Sequence, residues 1–254
     1  MTNHTTKIDL TTSISAAFTK KALLSKGELL HWLEDFYPDV AEETLIWRIH
    51  DLKNRGVLES PGRGMYRLGK TKTILPVFGD IARRIAAELS RELPLVKTCI
   101  WETRWISGWM ELQSPSNWTI VEVEKEVLEY VFNILTGITD KVFLDPDRKV
   151  VDLYILPLNE AVIVKPLLSE APAMAIGEIS AAAPEKILVD IVAEPNLFRA
   201  QQGELDRIYA NAFREIPINQ TKMLRYARRR RKDEVVFDLI PVEYRLPKSA
   251  KSHR

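Results

Sequence analysis

A single cysteine, Cys99, leaves the chain unable to form an internal disulfide, which points to a reducing compartment, and a cytoplasmic protein is expected. No apolar run approaches the roughly 18 residues of a membrane span. The opening MTNHTTKIDL lacks the charged-then-apolar order of a secretory leader. Histidine is scarce: His4, His31, His50 and His253 have no metal-ligand spacing to one another or to Cys99, so no metal is expected. Neither a phosphate-binding glycine loop nor a nucleophile elbow occurs, and no cofactor is expected. Internal repeats and long low-complexity tracts are also missing.

What is present is an ordinary globular composition, 254 residues with 46% hydrophobic and 28% charged, enough for one large or two modest cores. Net charge is only +1, but it is unevenly spread. Residues 1–70 carry 10 cations and 9 carboxylates, residues 71–220 carry 15 and 22, and residues 221–254 carry 11 and 4. An acidic body with a basic end fits either a solvated tail or a phosphate-binding surface.

The first quarter of the chain has a definite grammar. In SKGELLHWLEDFYP, Leu29, Leu30 and Leu33 share a face beside Trp32 and Phe36, and the pattern stops before Pro38; this predicts a short helix. In AEETLIWRIHDLKNRG, Leu45, Ile49 and Leu52 form the buried stripe of a second helix, with Gly56 as its cap. VLES, the turn PGRG and MYRL then read as a hairpin. An earlier helix over about 11–22, with Ile14, Ala17, Phe18 and Leu23 inward, completes a three-helix core. The whole is a winged helix-turn-helix pattern over residues 1–70. Its second helix would enter a DNA major groove with Thr44, Trp47, Arg48, Asp51 and Arg55 on the non-core face. Its wing offers Arg63, Tyr66 and Arg67 to phosphates or the minor groove. The same module also serves protein contact, and Glu42 and Glu43 at the helix start favour the helix dipole but repel phosphate.

Residues 69–73, within LGKTKT, read as a linker to a second, α+β domain over 74–245. PVFGDIARRIAAEL predicts a helix with Ile81, Ile85 and Leu89 inward. LVKTCIW, WTIVEVE, KVFL, VVDLYIL and AVIVKPL predict strands. KEVLEYVFNIL, APEKILVDIVAE, GELDRIYANAFREI, NQTKMLRYARRRR and DEVVFDLI predict helices, so strands precede a helical C-terminal layer. Trp101, Trp105 and Trp109 have the spacing of one helix face and read as a buried cluster, with base stacking the sharper alternative. Glu122 and Glu124 alternate onto one strand face and, after Ser107-Gly108, faintly resemble the metal carboxylates of a nucleotidyltransferase, with Asp152 a conceivable third. The Gly-Ser order is reversed, and VEVEK lacks the spacer of a metal nuclease, so no catalysis is expected. LRYARRRRKD places Arg225, Arg228, Arg229, Arg230, Arg231 and Lys232 around a helix. These cations either balance the acidic body or contact a nucleic acid or acidic partner.

The winged-helix pattern together with PEKILVDIVAEPNLF, GELDRIYANAF and INQTKMLRYARRR resembles the AbiEi-like antitoxins of type IV toxin–antitoxin systems, and a related bacterial family of uncharacterised winged-helix proteins. The run of Pro184, Glu185, Lys186, Leu188 and Asp190 carries much of the likeness, which covers about residues 12–240. The resemblance implies a winged helix followed by an α+β domain akin to a degenerate nucleotidyltransferase fold. It also implies a transcriptional autorepressor that binds its own promoter and neutralises a nucleotidyltransferase-type toxin, without a membrane. An active nucleotidyltransferase or nuclease with a DNA-binding head, and a winged-helix interaction module, are the competing functions.

Overall fold

The structure, a computed structural model, describes residues 10–69 and 76–246. It is a mixed α+β protein. Chain contacts divide it into two compact units. The first contains Met1–Thr73, Phe213–Thr221 and Ile240–Arg254; the second contains Ile74–Ala212 and Lys222–Leu239. The sequence suggested one cut between 70 and 74, whereas the chain returns twice to the first unit. All of the expected linker except Gly69 lies outside the described residues, as do His4 and His253.

In the first unit, α1 (Leu10–Ser13) runs into a 3-10 turn, Ile14–Phe18. The single helix expected over 11–22 is therefore shorter. The chain turns extended at β1 (Leu24–Ser25), which pairs antiparallel with Tyr66 and Met65. That pairing buries Leu24 rather than Leu23. The next helix, α2 (Lys26–Phe36), starts with a capping box: Ser25 Oγ accepts from the Glu28 N–H, and Glu28 accepts from the Ser25 N–H.

After a short turn, α3 (Glu42–Asn54) buries Leu45, Ile49 and Leu52, each worth about 1.5–3 kcal/mol relative to exposure. It ends in a Schellman motif: Val57 N–H bonds the Leu52 carbonyl and Gly56 N–H the Lys53 carbonyl, with Gly56 at φ +73. A Cβ at Gly69 would overlap the Gly56 carbonyl oxygen, so these two glycines fix the exit of α3 against the returning strand. The hairpin of β2 (Leu58–Gly62) and β3 (Met65–Leu68) follows, with a bulge between Glu59 and Gly62. With β1 it makes a three-stranded sheet of order β1-β3-β2. Ile14, Phe18, Leu24, Leu29, Leu33 and the α3 stripe close one core. From the later segments, Phe213 and Tyr244 pack ring to ring at 5.8 Å, and Gln220 donates to the Tyr244 carbonyl at 2.6 Å.

The second unit is built on a six-stranded mixed sheet. Its elements are α4 (Asp80–Glu92), β4 (Thr98–Glu102), β5 (Asn117–Val123), α5 (Leu128–Thr136), β6 (Val142–Leu144), α6 (Arg148–Val150), β7 (Glu160–Pro166), β8 (Ala173–Ile176), β9 (Ile179–Ala182), α7 (Pro184–Ala193), α8 (Arg199–Gln202), α9 (Leu205–Glu215), α10 (Gln220–Arg229) and α11 (Asp233–Leu239). Helices α9 and α10 each end or begin in the first unit. The strand order is β6-β7-β5-β4-β9-β8. One sheet face, with Ile100, Val121, Val123, Val162 and Val164, packs on Ile85, Leu89, Val131 and Leu135 of α4 and α5. The other face carries Cys99, Trp101, Ile120, Glu122, Ile163 and Lys165 in register, and α7 and Phe198 pack on it through Glu122 and Trp101.

Three expectations for this unit fail. VVDLYIL is not a strand: Asp147 caps Val150 N–H at 2.8 Å and starts a helical turn, which widens into a π-helix over Val151–Ile155. The three tryptophans do not share a helix. Trp101 is on β4 and packs on Phe198 at 5.4 Å, while Trp105 packs on Phe78 at 4.9 Å. Both Trp105 and Trp109 lie in a 3-10 segment, Thr103–Trp109. The basic helix stops at Arg229, because Arg231 turns left-handed at φ 55; Lys232 N–H bonds the Ala227 carbonyl and closes a second Schellman motif.

Candidate functional site

Two groups of residues concentrate chemistry, one in each unit. In the first, the inward stripe of α3 turns the opposite side of the helix outward. Glu43, Thr44, Trp47, His50 and Asn54 are exposed there, and Trp47 is 66% exposed. Trp47 is thus a large, mostly apolar side chain left in water on a helix whose other side is well packed. His50 and Asn54 escape a reading by residue type, yet they share Trp47's face by their spacing of three and seven.

The cations behave differently from one another. Arg48 folds back over Tyr37, its guanidinium carbon 4.1 Å from the ring centroid, and its Nη1 is buried without a hydrogen-bond partner. It braces the turn between α2 and α3. Arg55 pairs with Asp51 at 3.2 Å. Arg63 stands exposed at the hairpin turn, beside the start of α2, where Lys26 N–H bonds the Gly64 carbonyl at 2.8 Å.

Tyr66 and Arg67 depart from the expected wing contacts. Tyr66 packs against the core of the first unit. Arg67 is buried: its Nε bonds Glu59 at 3.0 Å, its Nη2 donates to the Ile216 carbonyl at 3.2 Å, and Tyr244 lies 5.9 Å from its guanidinium. Strand alternation sets Arg67 on the face opposite Tyr66 and Leu68, which pack on the core, and beside Glu59, its cross-strand partner.

In the second unit, a buried ionic network sits on the sheet face under α7. Lys186, fully buried, holds the carboxylates of Glu122 on β5 and Asp190 one turn along its own helix. Tyr226 Oη donates to Asp190 Oδ1 at 2.9 Å, and Arg230 Nη1 lies 3.4 Å from the same oxygen. Arg230 Nη2 bonds Glu194 at 2.7 Å. Lys165 reaches Glu194 at 2.8 Å and Asp145 at 3.3 Å. Burial opposes the charge of Lys186, but Asp190 and Glu122 outweigh it and hold the ammonium well above its usual range. Burial raises the Glu122 carboxyl above the ordinary carboxylate value, and Lys186 only partly offsets this. Cys99, beside Glu122 in register, is pushed up to about 12 by burial, so it is a thiol and not a reactive thiolate.

The three carboxylates considered from the sequence lie in different surroundings. Glu122 faces a lysine in the interior, Glu124 lies past the end of β5, and Asp152 is engaged by Arg199 at 2.7 Å and Arg148 at 3.6 Å. They build no common site. Among the described residues, no group of three or more His, Cys, Asp or Glu is arranged to hold a metal ion.

The basic run is divided. Arg230 is an interior residue with 12% of its side chain exposed. Arg225 and Arg229 both bind Glu170, at 3.2 and 3.0 Å, and Arg228 lies 3.7 Å from Asp233. Among the described residues, no helix is long and apolar enough to cross a membrane.

Among curated proteins nothing matches the chain. The crystal structure of the RV2827C protein from Mycobacterium tuberculosis is similar over 94% of this chain and 82% of that one, at 12% identity and a TM-score of 0.28, a likeness too weak to argue from. The matching family model spans residues 44–244, running from α3 through the buried network to Tyr244, and the chain therefore belongs to the family of unknown function DUF6577.

Proposed function

We propose that the first unit is a winged-helix DNA-binding head, and that the chain is a non-catalytic repressor of its own promoter and the antitoxin of a nucleotidyltransferase-type toxin. The observation that carries the DNA-binding part is Trp47, two-thirds exposed on the outer face of α3, within a helix–turn–helix that ends in a hairpin bearing the exposed Arg63. A second helix presented in this way suits a major groove, and a cation at the hairpin turn suits the flanking phosphates. The non-catalytic part is supported by Glu122, whose carboxylate is taken by Lys186 inside the unit. The antitoxin part rests on the family resemblance of the sequence and on no feature of the site.

The test is fluorescence anisotropy on duplex DNA from upstream of the gene, beside a scrambled duplex, at several salt concentrations. Trp47→Ala should cost preference for the promoter sequence. Arg63→Gln should weaken both duplexes alike and lower the salt slope by about one. Equal affinity for the two duplexes, untouched by Trp47→Ala, would sink the reading. Rescue of growth from a co-expressed nucleotidyltransferase-type toxin tests the antitoxin part separately.

One observation favours a second reading. Glu42, Glu43 and Asp51 lie close to Trp47 along α3 and are mismatched to phosphate. They suit a protein partner with cations around an indole-sized pocket, and the scrambled-duplex control separates the two readings.

A further inference from the structure

The 225–232 run holds a feature that interior balance does not explain. Arg225 Nε and Arg229 Nη2 each take a different oxygen of the one Glu170 carboxylate, so two guanidinium groups one helical turn apart clamp a two-oxygen anion. All three side chains are well exposed, where such pairing brings little stability. Glu170 is presented from a tight turn, in which Ala171 N–H bonds the Leu168 carbonyl at 3.3 Å and Glu170 itself is left-handed at φ 63.

Beyond the clamp, Arg228 is 76% exposed and lies 3.7 Å from Asp233, and Arg231 is exposed too. Among the described residues, these four exposed arginines meet two carboxylates in ion pairs, Glu170 and Asp233. A phosphodiester offers two free oxygens in the same arrangement as Glu170, and arginine is the side chain whose fork matches them.

We propose that Arg225 and Arg229 are a phosphate clamp for a nucleic-acid backbone, and that Glu170 occupies it in the free protein as a built-in competitor. Binding exchanges one anion for another: the phosphodiester enters, Glu170 swings into water, and Arg228 and Arg231 take the next phosphates along the strand. Arg230 stays out of the exchange because it is engaged by Asp190 and Glu194. This site is independent of the α3 reading.

The experiment uses the full chain carrying Trp47→Ala and Arg63→Gln, so that the head contributes least. Labelled mixed-sequence duplex DNA and single-stranded RNA are the probes, titrated across salt concentrations, with the thermal midpoint measured for every variant. Arg225→Gln/Arg229→Gln should lower the log–log salt slope by about two on duplex DNA and leave the midpoint nearly unchanged. Glu170→Gln should tighten binding several-fold, and well beyond Glu178→Gln, an exposed carboxylate in the same unit that controls for net charge. The stronger-bound probe tells which backbone is preferred.

An unchanged slope in the arginine pair, or equal effects of Glu170→Gln and Glu178→Gln, would overturn the proposal. So would tighter binding of Glu170→Gln to a polyglutamate peptide with no gain on either nucleic acid, which would make the clamp a carboxylate site for an acidic protein.

Discussion

The arginines of the hairpin and those of the 225–232 run look alike in the sequence and divide in the same way in the structure. On the hairpin, Arg63 is left in water at the turn while Arg67, four residues on, is buried between Glu59 and the Ile216 carbonyl. On the run, Arg229 is exposed on Glu170 while Arg230, the next residue, is sunk between Asp190 and Glu194. The hairpin makes the first division, because Arg63 lies in the turn while Arg67 lies in the paired strand β3, and the 100° step of a helix makes the second. A cluster of like charges is thus a poor unit of function. Within each cluster one cation is part of the interior and its neighbour lies on the surface, and substitutions should separate them cleanly.

The largest effect is expected where a charge has no access to water. Lys186→Met removes the ammonium that Glu122 and Asp190 share and leaves Glu122 buried without it, while Asp190 keeps Tyr226 and Arg230. Breaking a buried ion pair costs about 3–5 kcal/mol. Chemical denaturation should show a lowered midpoint, and hydrogen exchange should place the loss in α7 and β5. A shift within experimental error would mean that water already reaches the network.

Next in size is the hairpin pair. Arg67→Gln leaves Glu59 half-compensated and deletes the bond to Ile216, for about 2–4 kcal/mol. Arg63→Gln should stay within about 0.5 kcal/mol. If Arg63→Gln destabilised the protein as much as Arg67→Gln, the division of the cluster would be wrong.

The pattern of what the sequence revealed follows the same physics. The apolar stripes of α2 and α3 and the Gly56 stop were legible, because each is set by local periodicity. So was the hairpin, from its turn residues. Residues 148–155 misled because β-branched density suggests a strand, while the cap from Asp147 that makes them helical is a single side-chain bond. The β8–β9 hairpin went unread because AMAI and ISAA are short and alanine-rich. The network was half-visible: Lys186 and Asp190 lie in the run that carries the family likeness, but their partners Glu122, Tyr226 and Arg230 come from other elements, and no spacing in the sequence joins them. The burial of Arg67 likewise depends on segments about 150 residues away.

A smaller, pH-dependent effect should distinguish the interior network from an ordinary surface pair. Glu122 has a folded pKa raised from 4.5 to about 7. A raised carboxyl contributes stability below its unfolded value and loses it as pH rises through the folded one. Glu122 should therefore make the protein less stable as pH climbs from 4.5 toward 7, and Glu122→Gln should flatten that part of the profile of midpoint against pH. A profile that kept its slope in the variant would assign the titration to another group.

The smallest effect belongs to the cap of α2, which sits at the exposed side of the comparison. Ser25 and Glu28 satisfy each other's backbone donors, and Lys21 lies 2.6 Å from Glu28. The Lys21 hydrogen bond, with help from Ser25, lowers Glu28 from 4.5 to about 2. The sign is opposite to that of Glu122: the contribution is complete above 4.5 and is lost as pH falls toward 2. Because Glu28 is in water, the cap itself is the better target, and Ser25→Ala should cost about 0.5–2 kcal/mol. The consequence reaches the proposed head, since the next residue, Lys26, anchors its N–H on Gly64 beside Arg63. A frayed α2 start should loosen that bond and weaken DNA binding by a few-fold through Arg63, while leaving any sequence preference due to Trp47 intact. Equal loss on promoter and scrambled duplex in Ser25→Ala is the expected result. Loss confined to the promoter duplex would instead tie the cap to α3.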